Sequence, residues 1–385
     1  MLVPIDTAAV KRIESQMDAL VLKYSEYDWQ TMLSVHGNDY CKQADMLLDE
    51  YRQFDENIMR RSTLSELMSF ANQIALPLRT SWLVSGELRE TLYWPCRSRQ
   101  ARAVILMIPG NPGLADFYID FCTAIHDEFI EHMDIICVSH LGHTRFGDNR
   151  GLVYRNKKTY NLEEQVENMI SVFDKIDKEY AQADRPKMFL CGHSVGCYFA
   201  QKICECRSAR IDRVFSLFPA IESIGMTPRG RELWFLFQPG VRHVLAGVVD
   251  MIRWLFPLRV IHAMVNASKS LNADNSHLVV DKMLHGPCVN SVLRMAADEM
   301  RKISGLNEEF YRTFGHKFVM YYGRNDNWVP LECFEKMRQV NTGGKVTLCE
   351  NNISHAFVTS QSEDMALVMT GLLKDELHIE LDKKC

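Results

Sequence analysis

The run Gly192-His193-Ser194-Val195-Gly196 constrains this chain more than any other, because it stands between the apolar stretch Met188-Phe189-Leu190-Cys191 and the helical pattern from Tyr198 to Cys204. A serine at the apex of a strand, a sharp turn and a helix sits in strained backbone that pushes its hydroxyl out beyond the sheet, while the flanking glycines let neighbouring backbone pass close. Ser194 is therefore the candidate nucleophile. A chain with this turn must also build a sheet for the turn to cap.

The rest of the sequence supplies that sheet. Ala103-Val104-Ile105-Leu106-Met107-Ile108, Asp134-Ile135-Ile136-Cys137-Val138 and Lys317-Phe318-Val319-Met320-Tyr321-Tyr322 are short apolar runs, each ending at a polar loop. Helical patterns such as Phe117 to Ile130 and Leu162 to Tyr180 lie between them. Continuous apolar strands alternating with helices predict a parallel sheet covered on both faces. Trp82-Leu83-Val84, Gly86 and Thr91-Leu92-Tyr93-Trp94 read as a hairpin at its start. The expected architecture is the α/β-hydrolase fold over residues 79–385: a mostly parallel central sheet with helices on both faces and an apolar helical lid insertion at about 221–300. Residues 1–78 show apolar positions at helical spacing, among them Met17, Leu20, Val21 and Tyr24, and no catalytic pattern. They predict a helical N-terminal extension that packs or binds a protein partner.

A serine hydroxyl needs a base to take its proton, usually a histidine held by a carboxylate. In this fold the acid and the histidine follow the serine in that order. Asp326 lies just past the strand ending at Tyr322, and His355 follows the short strand Lys345 to Cys349, so both fall on loops of the right kind. Asp298, in a helical stretch, is a rival acid that ranks below Asp326. The developing oxyanion needs backbone N–H groups. Val195, directly after the nucleophile, should provide one, and the loop Pro109-Gly110-Asn111-Pro112-Gly113 the other. Pro112 has no N–H. Asn111 is left as the donor, through its backbone and in one version also through its side-chain amide. His140 and His143, after the strand ending at Val138, read as structural histidines, with lining of a substrate pocket as the alternative.

Composition narrows the function classes. A net charge of -5 argues against a protein built to grip nucleic acid. The 12 cysteines are scattered, which suits reduced thiols in a chain of 385 residues. Charges interrupt the amino-terminal segment where a secretory signal needs its apolar heart. Neither metal-ligand spacing nor a phosphate-cradling glycine loop is present, so no metal and no cofactor are expected. Leu233 to Val265 is strongly apolar and aromatic, but Asp250, Arg253 and Arg259 interrupt it, which disfavours a membrane span. Two readings stand: a helix lying in a membrane interface, or a buried lid over the active site. Both favour an apolar substrate.

The chain resembles the lipid droplet-associated hydrolase family. Carrying the resemblance are Ile108-Pro109-Gly110-Asn111-Pro112-Gly113 with Phe117-Tyr118, Gly192-His193-Ser194-Val195-Gly196, and Phe215-Ser216-Leu217-Phe218-Pro219 with Ile221-Glu222. So do Tyr321-Tyr322-Gly323 with Asp326 and Trp328, and Ile353-Ser354-His355-Ala356-Phe357. The resemblance implies that Ser194, Asp326 and His355 match the family's triad. It further implies residence on lipid droplets and the cytosolic side of the endoplasmic reticulum with residues 233–265 as anchor, and a role in turnover of sterol esters or other neutral lipids. Rival expectations are a thioesterase or peptidase on the same scaffold, and a droplet-surface protein with little or no turnover. The segment before residue 79 is longer than the family pattern implies.

Overall fold

The computed structural model describes residues 77–377, apart from 99, 145, 148–152, 155–157, 182–184, 268–272 and 341–342. The described residues belong to the unit Ala75–Cys385. The helical extension expected for residues 1–78 lies, but for its last two residues, outside them.

Eight strands form the main sheet: β1 (Leu78–Val84), β2 (Glu87–Trp94), β3 (Ala103–Ile108), β4 (Met133–Val138), β5 (Lys187–His193), β6 (Arg213–Leu217), β7 (Phe318–Tyr322) and β8 (Lys345–Leu348). Their order is β1-β2-β4-β3-β5-β6-β7-β8, and β2 runs antiparallel to both its neighbours while the other pairings are parallel. Ser85 and Gly86, both at positive φ (52° and 80°), make the two-residue turn between β1 and β2. Such a turn matches the natural twist of a hairpin.

The continuous apolar runs follow from burial on both faces. Along β3, Val104, Leu106 and Ile108 enter one core, whereas Ala103, Ile105 and Met107 enter the other. β5 divides in the same way, with Met188 and Leu190 on one side and Phe189 and Cys191 on the other. Period-two geometry sends alternate side chains to opposite faces, so a strand covered on both must be apolar throughout. Helices α1 (Ile119–Glu128), α2 (Leu162–Glu179) and α3 (Gly196–Arg207) cover the faces, α2 and α3 over the first core and α1 over the second. Asn161 starts α2 with a reciprocal cap: its side chain accepts from Glu164 N at 2.9 Å, and the Glu164 carboxylate accepts from Asn161 N at 2.8 Å.

The chain leaves β3 to one side through α1 and β4, then returns through α2 to β5 on the other side. At such a switch point the loops after adjacent strands diverge and open a crevice at their carboxyl ends. The loops carrying Asn111 and Ser194 both emerge there.

The insertion between β6 and β7 carries α4 (Pro239–Leu255), α5 (Leu258–Ala267) and α6 (Gly286–Lys302). α4 packs against α6. One charge that interrupts the apolar run makes this docking, Asp250 accepting from Gly286 N at 2.7 Å, and a second, Arg253, donates to the Val280 carbonyl ahead of α6 at 2.8 Å. Of the two readings of this segment, the buried lid does not hold for α4, which has no buried residue, and α5 buries only Ile261. Val244, Val248, Met251 and Leu255 form a stripe at helical spacing that faces outward, with Trp254 82% exposed beside it. No helix among the described residues is long and apolar enough to cross a membrane. Helices α7 (Leu331–Gln339) and α8 (Ser362–Leu377) complete the two layers, and no cysteine among the described residues is disulfide-bonded.

Candidate active site

Ser194 has φ 54°, a left-handed conformation that a residue with a Cβ occupies only under constraint. The constraint is close packing at the turn. A Cβ on Gly196 would stand 2.2 Å from the Ile108 carbonyl oxygen, so α3 can start against β3 only with glycine there. Ser194 N donates to the Leu217 carbonyl at 2.9 Å, which ties the turn to the end of β6.

Ser194 Oγ lies 2.9 Å from His355 Nε2, and His355 Nδ1 lies 2.6 Å from Asp326 Oδ2. The three residues stand on loops after β5, β8 and β7, so strands far apart in the chain converge at one end of the sheet. The other carboxylate oxygen of Asp326 accepts from Trp328 N at 2.7 Å and Val329 N at 3.0 Å. Both oxygens are thus held, and the side chain is almost wholly buried. The rival acid Asp298 takes no part: it accepts from Leu162 N at 3.2 Å and from Arg301 at 2.7 Å.

The 109–113 loop lies directly over the serine, since a Cβ on Gly110 would come within 3.1 Å of Ser194 Cβ. Among the described residues, the backbone N–H groups of Asn111 and Val195 have no hydrogen-bond partner. The side-chain amide of Asn111 points elsewhere. It donates to the Val292 carbonyl at 3.1 Å and to the Glu299 carboxyl at 2.8 Å, both on α6, which removes it from the set of oxyanion donors. Burial pushes Glu299 up to about 7, with Asp298 adding to the rise and the Asn111 bond opposing it.

Two buried histidines brace the same loop. His143 Nδ1 accepts from Gly113 N at 3.0 Å, and His140 Nε2 donates to the Pro109 carbonyl at 3.0 Å. Burial drives both pKa values down, that of His143 to about 3. They are structural residues of the loop. The sequence did not reveal a third brace, formed by Tyr118 and His193. Tyr118 accepts from Gly110 N at 2.8 Å and reaches His193 Nδ1 at 2.6 Å, while His193 Nε2 reaches the His355 carbonyl at 2.8 Å. Phe218 and Phe357 pack against both His193 and Tyr118 or His355, closing the floor of the site with aromatic rings. Proximity of Tyr118 to the Gly110 loop was the available signal, but only folding puts it under His193.

Among the described residues, His262, His277 and Asp281 of the insertion form a cluster with ligand-type atoms within 4.8 Å of one another. His262 Nε2 is hydrogen-bonded to Asp281 at 3.0 Å.

Comparison with known proteins bears on family and fold. A chicken (Gallus gallus) lipid droplet-associated hydrolase is 28% identical over 286 residues, covering 72% of this chain and 86% of its own. The human protein of that name is 27% identical over 296 residues, covering 72% and 87%. Among solved structures, a haloalkane dehalogenase from Agrobacterium tumefaciens superposes with a TM-score of 0.57 at 12% identity, covering 78% of this chain and 97% of its own. That likeness is one of fold. The model of lipid-droplet associated hydrolases matches residues 101–358, a span that begins just before β3 and ends just past His355, so this α/β-hydrolase chain belongs to that family.

Proposed function

We propose that the chain is a serine esterase that hydrolyses carboxylic esters of apolar lipids, sterol esters or acylglycerols, at the surface of lipid droplets. One observation carries the reading: a single imidazole, His355, bridges the Ser194 hydroxyl and the Asp326 carboxylate. Ser194 Oγ attacks the ester carbonyl carbon while His355 Nε2 takes its proton. The N–H groups of Val195 and Asn111 receive the negative charge that develops on the carbonyl oxygen. Collapse breaks the bond to the alcohol oxygen, which leaves with the proton from Nε2. Water then attacks the acyl-serine, giving a proton to His355, and the carboxylic acid departs as Ser194 recovers its hydrogen. Asp326 keeps the Nδ1 proton of His355 in place, so that Nε2 is free to act as base.

The names of the relatives and the outward apolar stripe of α4 together support the droplet surface; the cytosolic face of the endoplasmic reticulum is proposed as the adjoining membrane on the family resemblance alone. A helix of this kind binds an interface by burying its apolar face without spanning the bilayer. Residues 1–78 are proposed as a separate segment available to a protein partner.

A second reading has its own support: the apolar stripe stands on helices that hold none of the three site residues, so surface binding needs no turnover. Fluorophosphonate labelling of the purified full chain separates the two. Labelling of wild type that is absent in Ser194→Ala is expected. Equal labelling of both, or of neither, removes the esterase reading.

A further inference from the structure

A cleft of about 680 Å³ opens beside the apolar stripe, between the start of α4 and the outer face of α6. Arg242, Arg294, Arg301 and Lys302 line it, with Asp298 as the one acidic residue. Asp298 is already taken, by Arg301 at 2.7 Å and Lys302 at 3.6 Å. Lys302 also pairs with Glu163. Arg294 donates to Thr159, to the hydroxyl at 2.8 Å and the carbonyl at 3.4 Å, and forms no ion pair among the described residues. Arg242 is in the same position: its Nε is buried and has no hydrogen-bond partner among the described residues. Two guanidinium groups therefore line one cleft, neither of them in an ion pair among the described residues, while Asp298, its one carboxylate, is held by Arg301. Partial burial first, and the charge of Arg294 second, lower the pKa of Arg242, while Asp298 opposes the shift.

The surroundings say where an anion for this cleft would come from. Trp234 lines the cleft and is 54% exposed, and Phe235 beside it is exposed as well. They continue the outward apolar face of α4. An anion bound here would have hydrocarbon within reach on one side and two guanidinium forks on the other, and such forks match phosphate oxygens. We propose that the cleft binds the phosphate of a phospholipid headgroup while the acyl chains lie along Trp234, Phe235 and α4. The inference rests on the surface-docking part of the proposed function and adds its ligand chemistry: docking recognises anionic phospholipid as well as apolar core.

Flotation of the full chain with phosphatidylcholine vesicles, and with the same vesicles containing phosphatidic acid, tests it. Wild type is expected to partition roughly tenfold more strongly to the anionic vesicles, as two cations near a surface would dictate. Arg242→Ala combined with Arg294→Ala should lose that preference while keeping binding to phosphatidylcholine. Arg338→Ala, which removes one exposed charge from α7, outside the cleft and the 233–265 segment, should retain it. Equal partition of wild type to both vesicles overturns the proposal, as does a preference that survives in the double variant or falls as far in Arg338→Ala. Calorimetry with inorganic phosphate provides the other arm. Saturable binding of inorganic phosphate without any vesicle preference assigns the cleft to free phosphate and likewise overturns the lipid proposal. Thermal melting checks that the double variant folds, and Arg242→Gln alone serves if it does not. Labelling of Ser194 is read separately, so loss of vesicle preference and loss of esterase chemistry are told apart.

Discussion

The Tyr118 hydroxyl lies 2.6 Å from Nδ1 of His193 and joins the loop after β3 to the turn that carries Ser194. The direction of this chain of bonds follows from chemistry. The His355 carbonyl can only accept, so His193 Nε2 carries the hydrogen, Nδ1 accepts from Tyr118, and the tyrosine oxygen accepts from Gly110 N–H. Burial and the neighbouring His355 push His193 down to about 3, which keeps it neutral and its tautomer set at neutral pH.

Tyr118→Phe removes the central hydroxyl and leaves a buried N–H and a buried imidazole nitrogen unpaired. Stability should fall by about 1–3 kcal/mol. Turnover of a chromogenic ester should slow roughly tenfold at nearly unchanged KM, since a loosened 109–113 loop affects charge stabilisation more than ground-state binding. A lower melting temperature with unchanged kcat would assign the bridge a purely structural role.

Asp326→Asn tests the orientation of His355. The asparagine carbonyl would satisfy Trp328 N and Val329 N, and its NH₂ would then face His355 Nδ1. The imidazole must switch tautomer, and Nε2 can no longer accept a proton. A loss of roughly 10³–10⁴ in kcat at neutral pH is expected with a folded chain, read by ester kinetics and circular dichroism.

Glu299 should make the fold pH-dependent. Its ordinary pKa of 4.5 is raised to about 7, so the native state keeps a proton that the unfolded chain releases. The stabilisation is complete below the unfolded value and is lost as pH rises through the folded one. The buried His143 and His193 have the opposite sign: depressed to about 3, they favour the native state at neutral pH and cost stability as pH falls below their ordinary value of 6.5. Glu299→Gln removes only the first effect. Its unfolding free energy relative to wild type, from denaturant titrations, should therefore climb from acid to mildly alkaline pH, by up to roughly 3 kcal/mol. A difference that stays flat across this range would mean Glu299 ionises normally.

Trp254→Asp should leave the melting temperature almost unchanged, because the indole is 82% exposed and packs little against the fold. Binding to phospholipid-coated oil droplets should weaken at least tenfold, because an apolar anchor is exchanged for a charge. Co-flotation with the buoyant droplets reads this directly.

Much of the fold and site is legible in the chain because the signals are local. Ser194 is readable from a pentapeptide between an apolar run and a helical pattern, and β3 and β5 are readable because strands buried on both faces cannot carry polar residues. Asp326 and His355 needed only their order after the serine and their positions at strand ends. Periodicity also marks the stripe from Val244 to Leu255, but an apolar stripe on a helix looks the same whether it faces a core or a lipid.

By itself, then, the sequence determined the strand and helix pattern, the nucleophile turn and the residues able to complete it. Only the tertiary structure decided which partners the polar groups took. It turned the Asn111 amide toward Glu299, joined Tyr118 to His193, aimed the α4 stripe outward and set Arg242 and Arg294 on one cleft, neither in an ion pair among the described residues. The physical reason is that burial of a strand is encoded in the type of each residue. Pairing of a hydrogen bond or a charge depends on distances between segments that are remote in the chain.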